Sequence, residues 1–185
     1  MIKCVLVQKE NIHKHTYYNL DEFSILYRSN VKEFIDVVFK EVLQNLEEIK
    51  VTRETVNKYK YEKIENTYMA TYQFDNTIIL AICSDKLKDA TLRIFFNKIM
   101  KCNSIDEEVE YIKYFIKNYD KEIDKIDKIT QQLDETKEIM MRNIDLVIKR
   151  GQSLDDLLQK SADLSASSKI FLNRTKKLNK CCVIL

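Results

Sequence analysis

The feature that most restricts how this chain of 185 residues can fold is a seam of residues spaced alternately by three and four positions. This spacing is the heptad repeat of helices that wrap around one another. At about 1.5 Å per residue, an uninterrupted helix over the seam would be about 80 Å long, which is too long to fold back along one small domain as ordinary core. The sixteen seam positions are Ile126, Ile129, Leu133, Thr136, Met140, Asn143, Val147, Arg150, Leu154, Leu157, Ser161, Leu164, Ser168, Phe171, Thr175 and Leu178.

The composition of the seam predicts partners other than a second copy of the same helix. A self-sufficient dimer tolerates one polar seam residue as a register determinant, not several. Here six seam positions are polar, namely Thr136, Asn143, Arg150, Ser161, Ser168 and Thr175. The helix is therefore expected to be marginal alone, and to need partner helices whose larger side chains fill its small positions in a hetero-oligomeric bundle.

Arg150, near the middle of the seam, has two interpretations. It could be an ordinary surface arginine where the heptad frame slips by one residue, and the adjacent Gly151 supports a break because glycine costs about 1 kcal/mol in a helix. It could also be a buried arginine whose donors meet polar side chains of other helices. Since a buried cation is costly when unpaired, such a residue would fix register and partner identity.

The part of the chain before the seam predicts an α+β domain. β-forming residues and a turn at Asp75-Asn76 predict the strands Ile2–Val7, Phe23–Tyr27, Val51–Tyr59, Thr67–Phe74 and Thr77–Cys83. Apolar residues at helical spacing predict helices over 31–46, 87–100 and 105–119. The predicted division is 1–119 for this domain, 120–180 for the coiled-coil motif and 181–185 for a Cys-Cys tail.

Composition argues against several classes of function. With Gly151 as its only glycine, the chain can form neither a glycine-rich phosphate-binding loop nor a dinucleotide-binding glycine motif. A net charge of +2 argues against general nucleic-acid binding. His13 and His15 lack accompanying ligands and are assigned to a loop, while Cys102 has no histidine partner beside it. We expect no enzyme activity, no cofactor, no metal, no secretory signal and no membrane span.

Two stretches carry a resemblance to a known family. "LDETKEIMMRNIDLVIKRGQSLDDLLQKSADLSASSKIFLNRTKKLNKCC" resembles the helical motif of an R-SNARE, and "FSILYRSNVKEF" resembles the start of the first helix of the prenylated longin R-SNAREs, the Ykt family. The resemblance implies an N-terminal longin (profilin-like) domain with an antiparallel sheet and flanking helices. It also implies a long SNARE helix in which Arg150 is the ionic-layer arginine.

The function implied by this resemblance is vesicle membrane fusion. The R-SNARE helix would form a parallel four-helix bundle with three Q-SNARE helices, and SNARE-disassembly machinery would recycle it. The longin domain would hold a closed form, and the chain would cycle between cytosol and the cytoplasmic face of Golgi, endosomal and vesicle membranes. Two alternatives remain open: a lipid-anchored coiled-coil tether that homodimerises and is indifferent to Arg150→Ala, and a longin-type trafficking adaptor.

The last residues, "KKLNKCCVIL", predict lipid attachment. Cys182-Val183-Ile184-Leu185 fits a CaaX box, so Cys182 is the expected prenylation site and Cys181 the expected palmitoylation site. Leucine at the last position favours geranylgeranyl, whereas methionine is frequent there in the family, so the isoprenoid stays open. Lys176, Lys177 and Lys180 would add attraction to an anionic leaflet or simply solvate a helix end.

Ser161 and Ser168 are candidate modification sites, because both are seam positions. A phosphate there would block bundle assembly, since a near-dianion is costly to bury in an apolar seam. The alternative is that both are simply small seam residues.

Overall fold

The computed structural model describes residues 2–10, 13–49, 54–60, 67–84, 87–130, 139–149 and 152–181. The strands are β1 Ile2–Lys9, β2 His13–Tyr18, β3 Thr55–Lys60, β4 Thr67–Phe74, β5 Thr77–Ser84 and β6 Met140–Asn143. The helices are α1 Ile25–Glu47, α2 Asp89–Met100, α3 Ile105–Lys117, α4 Tyr119–Thr130, α5 Leu154–Lys160 and α6 Ala166–Cys181, with a 3₁₀ turn at Ile144–Leu146. The chain divides into two compact units, one of Met1–Asn19 with Lys50–Ile144 and one of Leu20–Ile49 with Asp145–Leu185.

The first unit is built on a six-stranded sheet in the order β2-β1-β5-β4-β3-β6. The pairs β1–β2, β1–β5, β4–β5 and β3–β4 are antiparallel, whereas β6 lies parallel to β3. The predicted hairpin is confirmed: β4 and β5 turn at Asp75, whose φ of 51° is a left-handed conformation that aspartate tolerates. With its helices this sheet confirms the predicted α+β fold class.

The core of the first unit combines the sheet with α2, α3 and α4. Alternate sheet residues such as Val5, Val7, Ile79 and Ala81 belong to this core, as period-two alternation requires. The predicted apolar face of the helix 87–100 is confirmed, since Leu92, Phe95, Phe96 and Ile99 are fully buried in the same cluster. Phe95 packs against Phe115 with ring centroids 4.8 Å apart, which joins α2 to α3.

The thiols of the first unit are packed, as the sequence predicted for Cys4 and Cys83. Both are buried in neighbouring strands, and Cys102 is buried as well. Burial raises the pKa of Cys83 to about 11, and burial also raises the pKa of Cys102. A raised pKa keeps the thiols of Cys83 and Cys102 protonated at neutral pH, and buried thiols pack as small apolar side chains.

Two local predictions are wrong. Phe23–Tyr27 is not a strand, because α1 already begins at Ile25 and Ser24 precedes it. His13 and His15 do not lie in a loop but on β2, at the outer edge of the sheet. Each error has its own physical reason. The short apolar run at 23–27 fits a helix and a strand equally well. The edge strand "HKHTYY" lacks the alternation of apolar residues that marks a half-buried strand.

The seam is not one uninterrupted helix in this chain, which corrects that expectation. Its described residues are distributed over α4, β6, the residues after the 3₁₀ turn, α5, the turn at 161–165 and α6. Six polar positions deprive the segment of an apolar face that could stabilise a long helix without partners. The segment therefore folds with the rest of its own chain.

A buried ion pair joins three elements of the first unit. Glu108 of α3 pairs with Lys9 of β1, and the side chain of Glu108 is only 4% exposed. The Lys9 ammonium also donates to the Cys102 carbonyl oxygen at 3.2 Å. His15 Nε2 of β2 lies 3.2 Å from the second Glu108 oxygen, and burial lowers the pKa of His15 against the opposing effect of that carboxylate. The pair thus connects α3 to the β1–β2 edge of the sheet.

Replacing Glu108 by glutamine should reduce the free energy of unfolding by about 3 kcal/mol, because it leaves the Lys9 ammonium without its charged partner. Urea unfolding followed by circular dichroism measures the loss. Glu110→Gln is the matched control, since Glu110 is an exposed acid on the same helix. Equal stability of the two variants would contradict the structural role of the pair.

Candidate functional site in the C-terminal segment

The second unit packs α5 and α6 against α1, and these two helices carry much of the predicted seam. Seam residues Leu154, Leu164 and Ser168 are buried, and Phe171 is partly buried. Val147, just after the 3₁₀ turn, is also buried. In this form the seam therefore already has partners within its own chain.

Local sequence signals explain where α5 and α6 begin. Ser153 precedes α5, and its hydroxyl accepts a hydrogen bond from the Asp156 amide at 3.2 Å. Ser165 precedes α6, and its hydroxyl accepts from the Ser168 amide at 3.2 Å. Such side-chain caps satisfy amides that the first helical turn leaves without partners.

The two helices are separated at Ser161, which has an extended backbone with φ −60° and ψ 125°. Its hydroxyl accepts from the Asp163 amide at 3.2 Å, so it stabilises the turn between them. Gln159 of α5 donates to Asn173 of α6 at 2.8 Å across that turn. A continuous helix through this region would require the turn to be lost.

Helices α1 and α6 pack antiparallel, and the contact nearest the start of α1 is between two aromatic rings. Tyr27 stacks on Phe171 with ring centroids 5.1 Å apart and an interplanar angle of 29°. One turn further along α1, the Asn30 amide donates to the Ser168 hydroxyl at 3.0 Å. Phe171 and Ser168 are both seam positions, so α1 contacts the residues that a helical bundle would bury.

Glu33 makes the most specific contact with the start of α6. Its carboxylate accepts from the Ser165 amide at 3.0 Å and from the Ser168 hydroxyl at 2.8 Å. The bond from the Ser165 amide, followed by that from the Ser168 hydroxyl, lowers the pKa of Glu33. A carboxylate is well placed here, because the first turn of a helix presents free amides and a partial positive charge.

Further along α1, polar contacts reach the segment before α6. Lys40 pairs with Asp163 at 2.6 Å in an exposed position. The backbone amide of Lys149, the residue before Arg150 in the sequence, donates to the Glu41 carboxylate at 3.4 Å. Exposed pairs of this kind contribute little to stability.

Sequence reasoning missed these α1 residues. The helical period identifies the apolar positions of α1, of which Val31, Ile35, Val38, Val42 and Leu46 are buried. Asn30 and Glu33 lie outside that stripe, whereas Tyr27, four residues before Val31, continues its spacing but falls in the stretch that was predicted as a strand. Their role depends on which segment folds back beside them, and no local pattern encodes that.

Several predicted site residues lie outside the described residues. These are Arg150, Cys182, Leu133 and Thr136. For Ile129, Met140, Leu178 and Cys181 the structure describes the backbone element but not the side chain. The ionic-layer role of Arg150 and the lipidation of Cys181 and Cys182 therefore stay predictions.

The described part of the chain contains neither a membrane-spanning helix nor a cluster of metal-binding side chains. No helix there combines the length and the apolar character needed to cross a bilayer. Within the same residues, no group of three or more histidine, cysteine or acidic side chains is arranged to hold a metal ion.

Comparisons with known proteins find matches both to the C-terminal segment and to most of the chain. The family model named Synaptobrevin matches residues 125–184. The chain is 29% identical over 188 residues to "Synaptobrevin homolog ykt6" of Schizosaccharomyces pombe, which covers 91% of this chain and 89% of that protein.

Shorter alignments have higher identity. "VAMP-like protein YKT61" of Arabidopsis thaliana is 52% identical over 64 residues, which is 35% of this chain and 32% of the relative. "Synaptobrevin homolog YKT6" of Saccharomyces cerevisiae is 48% identical over 62 residues, or 34% and 31%. The chain therefore aligns with about a third of the length of these two relatives.

The Glu33 contact can be tested by a double-mutant cycle with Ser168. Glu33→Ala should accelerate amide exchange of residues 165–171 about tenfold, because a hydrogen bond to a charged group contributes about 1.5 kcal/mol. Ser168→Ala should cost less in the Glu33→Ala background than in the wild-type chain, since the bond to Glu33 is already absent and only the bond from Asn30 is still to be lost. Hydrogen exchange by mass spectrometry gives both values. Lys40→Ala is the control for an exposed contact, and additive effects of the two changes would contradict a direct interaction.

Proposed function

We propose that the chain is an R-SNARE of the Ykt type within the synaptobrevin family, and that residues 120–180 drive vesicle membrane fusion by joining three Q-SNARE helices in a four-helix bundle. The observation that carries the proposal is that the heptad seam and the family match cover the same residues. The seam begins at Ile126 and ends at Leu178, and the Synaptobrevin model matches residues 125–184.

The driving force is burial of the seam. Each Å² of apolar surface removed from water contributes about 25 cal/mol. In the single chain, the seam is broken into short elements; in the bundle it would become one helix with partners along its whole length. Conversion of the segment from its folded-back form to that helix is the step that does mechanical work between two membranes.

Arg150 is proposed as the ionic-layer residue of the bundle. Its guanidinium carries five donors and stays charged, so burial requires polar acceptors from the partner helices. A glutamine from each of three Q-SNARE helices supplies such acceptors. The same requirement would reject partners that place apolar residues at this level.

We further propose that the folded-back form is an inactive one. α1 contacts Phe171 and Ser168, and a Q-SNARE bundle needs both positions. Assembly therefore requires loss of the Tyr27, Asn30 and Glu33 contacts first. The 1–119 region thus acts as a longin-type regulator of the 120–180 motif, in line with its proposed division.

Membrane attachment is proposed to use two lipids. A prenyl group on Cys182 alone would bind membranes only marginally, whereas a second acyl chain on Cys181 would anchor the chain stably. Removal of the acyl chain would return it to the cytosol. We propose that the chain cycles in this way between the cytosol and the cytoplasmic face of Golgi, endosomal or vesicle membranes, and that disassembly machinery separates the spent bundle.

The proposed bundle predicts a specific defect in Arg150→Ala. Three glutamines would lose their shared donor, so the quaternary complex with Q-SNARE helices should lose roughly 3 kcal/mol of stability. Thermal melting of the purified complex measures this. Arg150→Gln paired with a glutamine-to-arginine change in one partner should restore stability, and Lys149→Ala should have little effect. A homodimeric chain that is indifferent to Arg150→Ala would favour a coiled-coil tether instead.

The proposed anchor predicts graded membrane binding of the chain expressed in eukaryotic cells. Cys181→Ser should leave a prenylated chain that is mostly released from membranes, because one lipid gives only reversible attachment. Cys182→Ser should abolish attachment, and its product should also lack the mass of an isoprenoid. Membrane flotation and intact-mass measurement are the readouts, with Cys102→Ser as the control. Membrane binding of Cys182→Ser at the wild-type level would contradict the proposal.

A further inference from the structure

The sheet of the first unit contains a strand that bundle assembly must remove. β6 pairs in parallel with β3, with Asn57 opposite Met140 and Lys60 opposite Asn143. Met140 and Asn143 are also seam positions. Because a residue cannot be in a strand and in the bundle helix at once, β6 has to leave β3 before this part of the seam can assemble.

Next to this strand is a buried lysine on β3. Lys58 is only 6% exposed, and its ammonium donates to the Leu87 carbonyl oxygen at 3.0 Å. The same ammonium lies 2.9 Å from Asp89 Oδ1 and 5.6 Å from the centre of the Tyr68 ring. Burial of this charge is tolerated because it is paired with a carboxylate and bonded to a carbonyl.

The Asp89 carboxylate has a second contact, which reaches the start of β6. Its Oδ2 accepts a hydrogen bond from the Ile139 amide at 3.2 Å. Ile139 directly precedes β6, and its side chain is buried in the core of the first unit. One carboxylate thus joins the buried ammonium of β3 to the backbone immediately before the strand that must leave.

We propose that Asp89 is a positioning residue for SNARE assembly: by holding the Ile139 amide beside Lys58, it keeps β6 on the sheet edge and delays entry of Met140–Asn143 into the bundle. This inference rests on the proposed bundle function. Met140 and Asn143 lie in the half of the seam that precedes Arg150. Asp89 therefore acts on a different part of the motif from Glu33, whose contacts are at Ser165 and Ser168.

The first test is amide exchange in the full chain carrying Asp89→Asn. The amide side chain retains one oxygen for Lys58 but cannot offer a second acceptor to Ile139. Exchange of the 139–143 amides should become about tenfold faster, equivalent to about 1.4 kcal/mol, while the β1 and β5 amides keep their protection. Asp106→Asn is the matched control, since it removes an acid from the first turn of α3. Unchanged exchange at 139–143, or equal loss of protection over the whole sheet, would overturn the proposal.

Lys58→Met separates the local role from general stability. It removes the ammonium but leaves the Asp89 carboxylate free to accept from Ile139. We expect the β3 and β4 amides to lose protection as much as those of 139–143, in contrast to the local effect of Asp89→Asn. If both variants gave the same local pattern, the Ile139 bond would not be the element that holds β6, and the proposal would be overturned.

The second readout is the rate at which the full chain assembles with soluble Q-SNARE helices. Asp89→Asn should raise this rate severalfold, and Asp106→Asn should not. An unchanged rate despite faster local exchange would overturn the positioning role. If the wild-type chain formed no complex at any concentration, the bundle function itself would fail, and the exchange data would still decide whether Asp89 holds β6.

Discussion

On the proposed function, the seam residues of the 126–178 segment have to be satisfied in two incompatible structures, and the rest of this protein depends on that constraint. Six polar positions keep the segment from being a stable helix without partners, so it folds with its own chain instead. It cannot be so stable there that partners fail to displace it. The folded-back form therefore uses short helices, one short strand and individual polar contacts rather than a continuous apolar interface.

The two compact units hold the segment in chemically different ways. In the second unit, α1 uses an aromatic stack and a carboxylate that accepts from Ser165 and Ser168. In the first unit, a four-residue strand pairs with β3, and Asp89 accepts from the amide before it. Each attachment is small, which suits a segment that has to be released. Because several of the contacts are hydrogen bonds made by single side chains, one substitution can weaken one of them without dismantling the core.

Ser168 illustrates how the same side chain serves both states. As a small seam residue, it would let a partner helix approach closely in a bundle. In the folded-back form it is buried, donates to Glu33 and accepts from Asn30. A phosphate at this position would meet the Glu33 carboxylate in one state and an apolar seam in the other, so it would be unfavourable in both. Ser161 differs, since it lies in the turn between α5 and α6.

Much of the fold was predictable because its signals are local. The β4–β5 hairpin follows from alternating residues around Asp75-Asn76, and the buried face of α2 follows from helical spacing of apolar residues. β2 was missed because an edge strand needs little apolar alternation, and Phe23–Tyr27 was misassigned because a short apolar run is ambiguous. Glu33 and Asp89 carry no local signal, since each acts on a residue more than forty positions away along the chain.

The sequence by itself determined that this segment needs partners: the three-four spacing sets one contact stripe, and the polar residues in it make a lone helix marginal. It also determined the α+β class and the resemblance to a family, through patterns that lie within short stretches. Only the tertiary structure decided which partners the chain provides for itself. The pairing of β6 with β3 and the contacts of α1 with α6 join residues that are distant in sequence. Their energies depend on three-dimensional geometry, which the spacing of residues along the sequence does not encode.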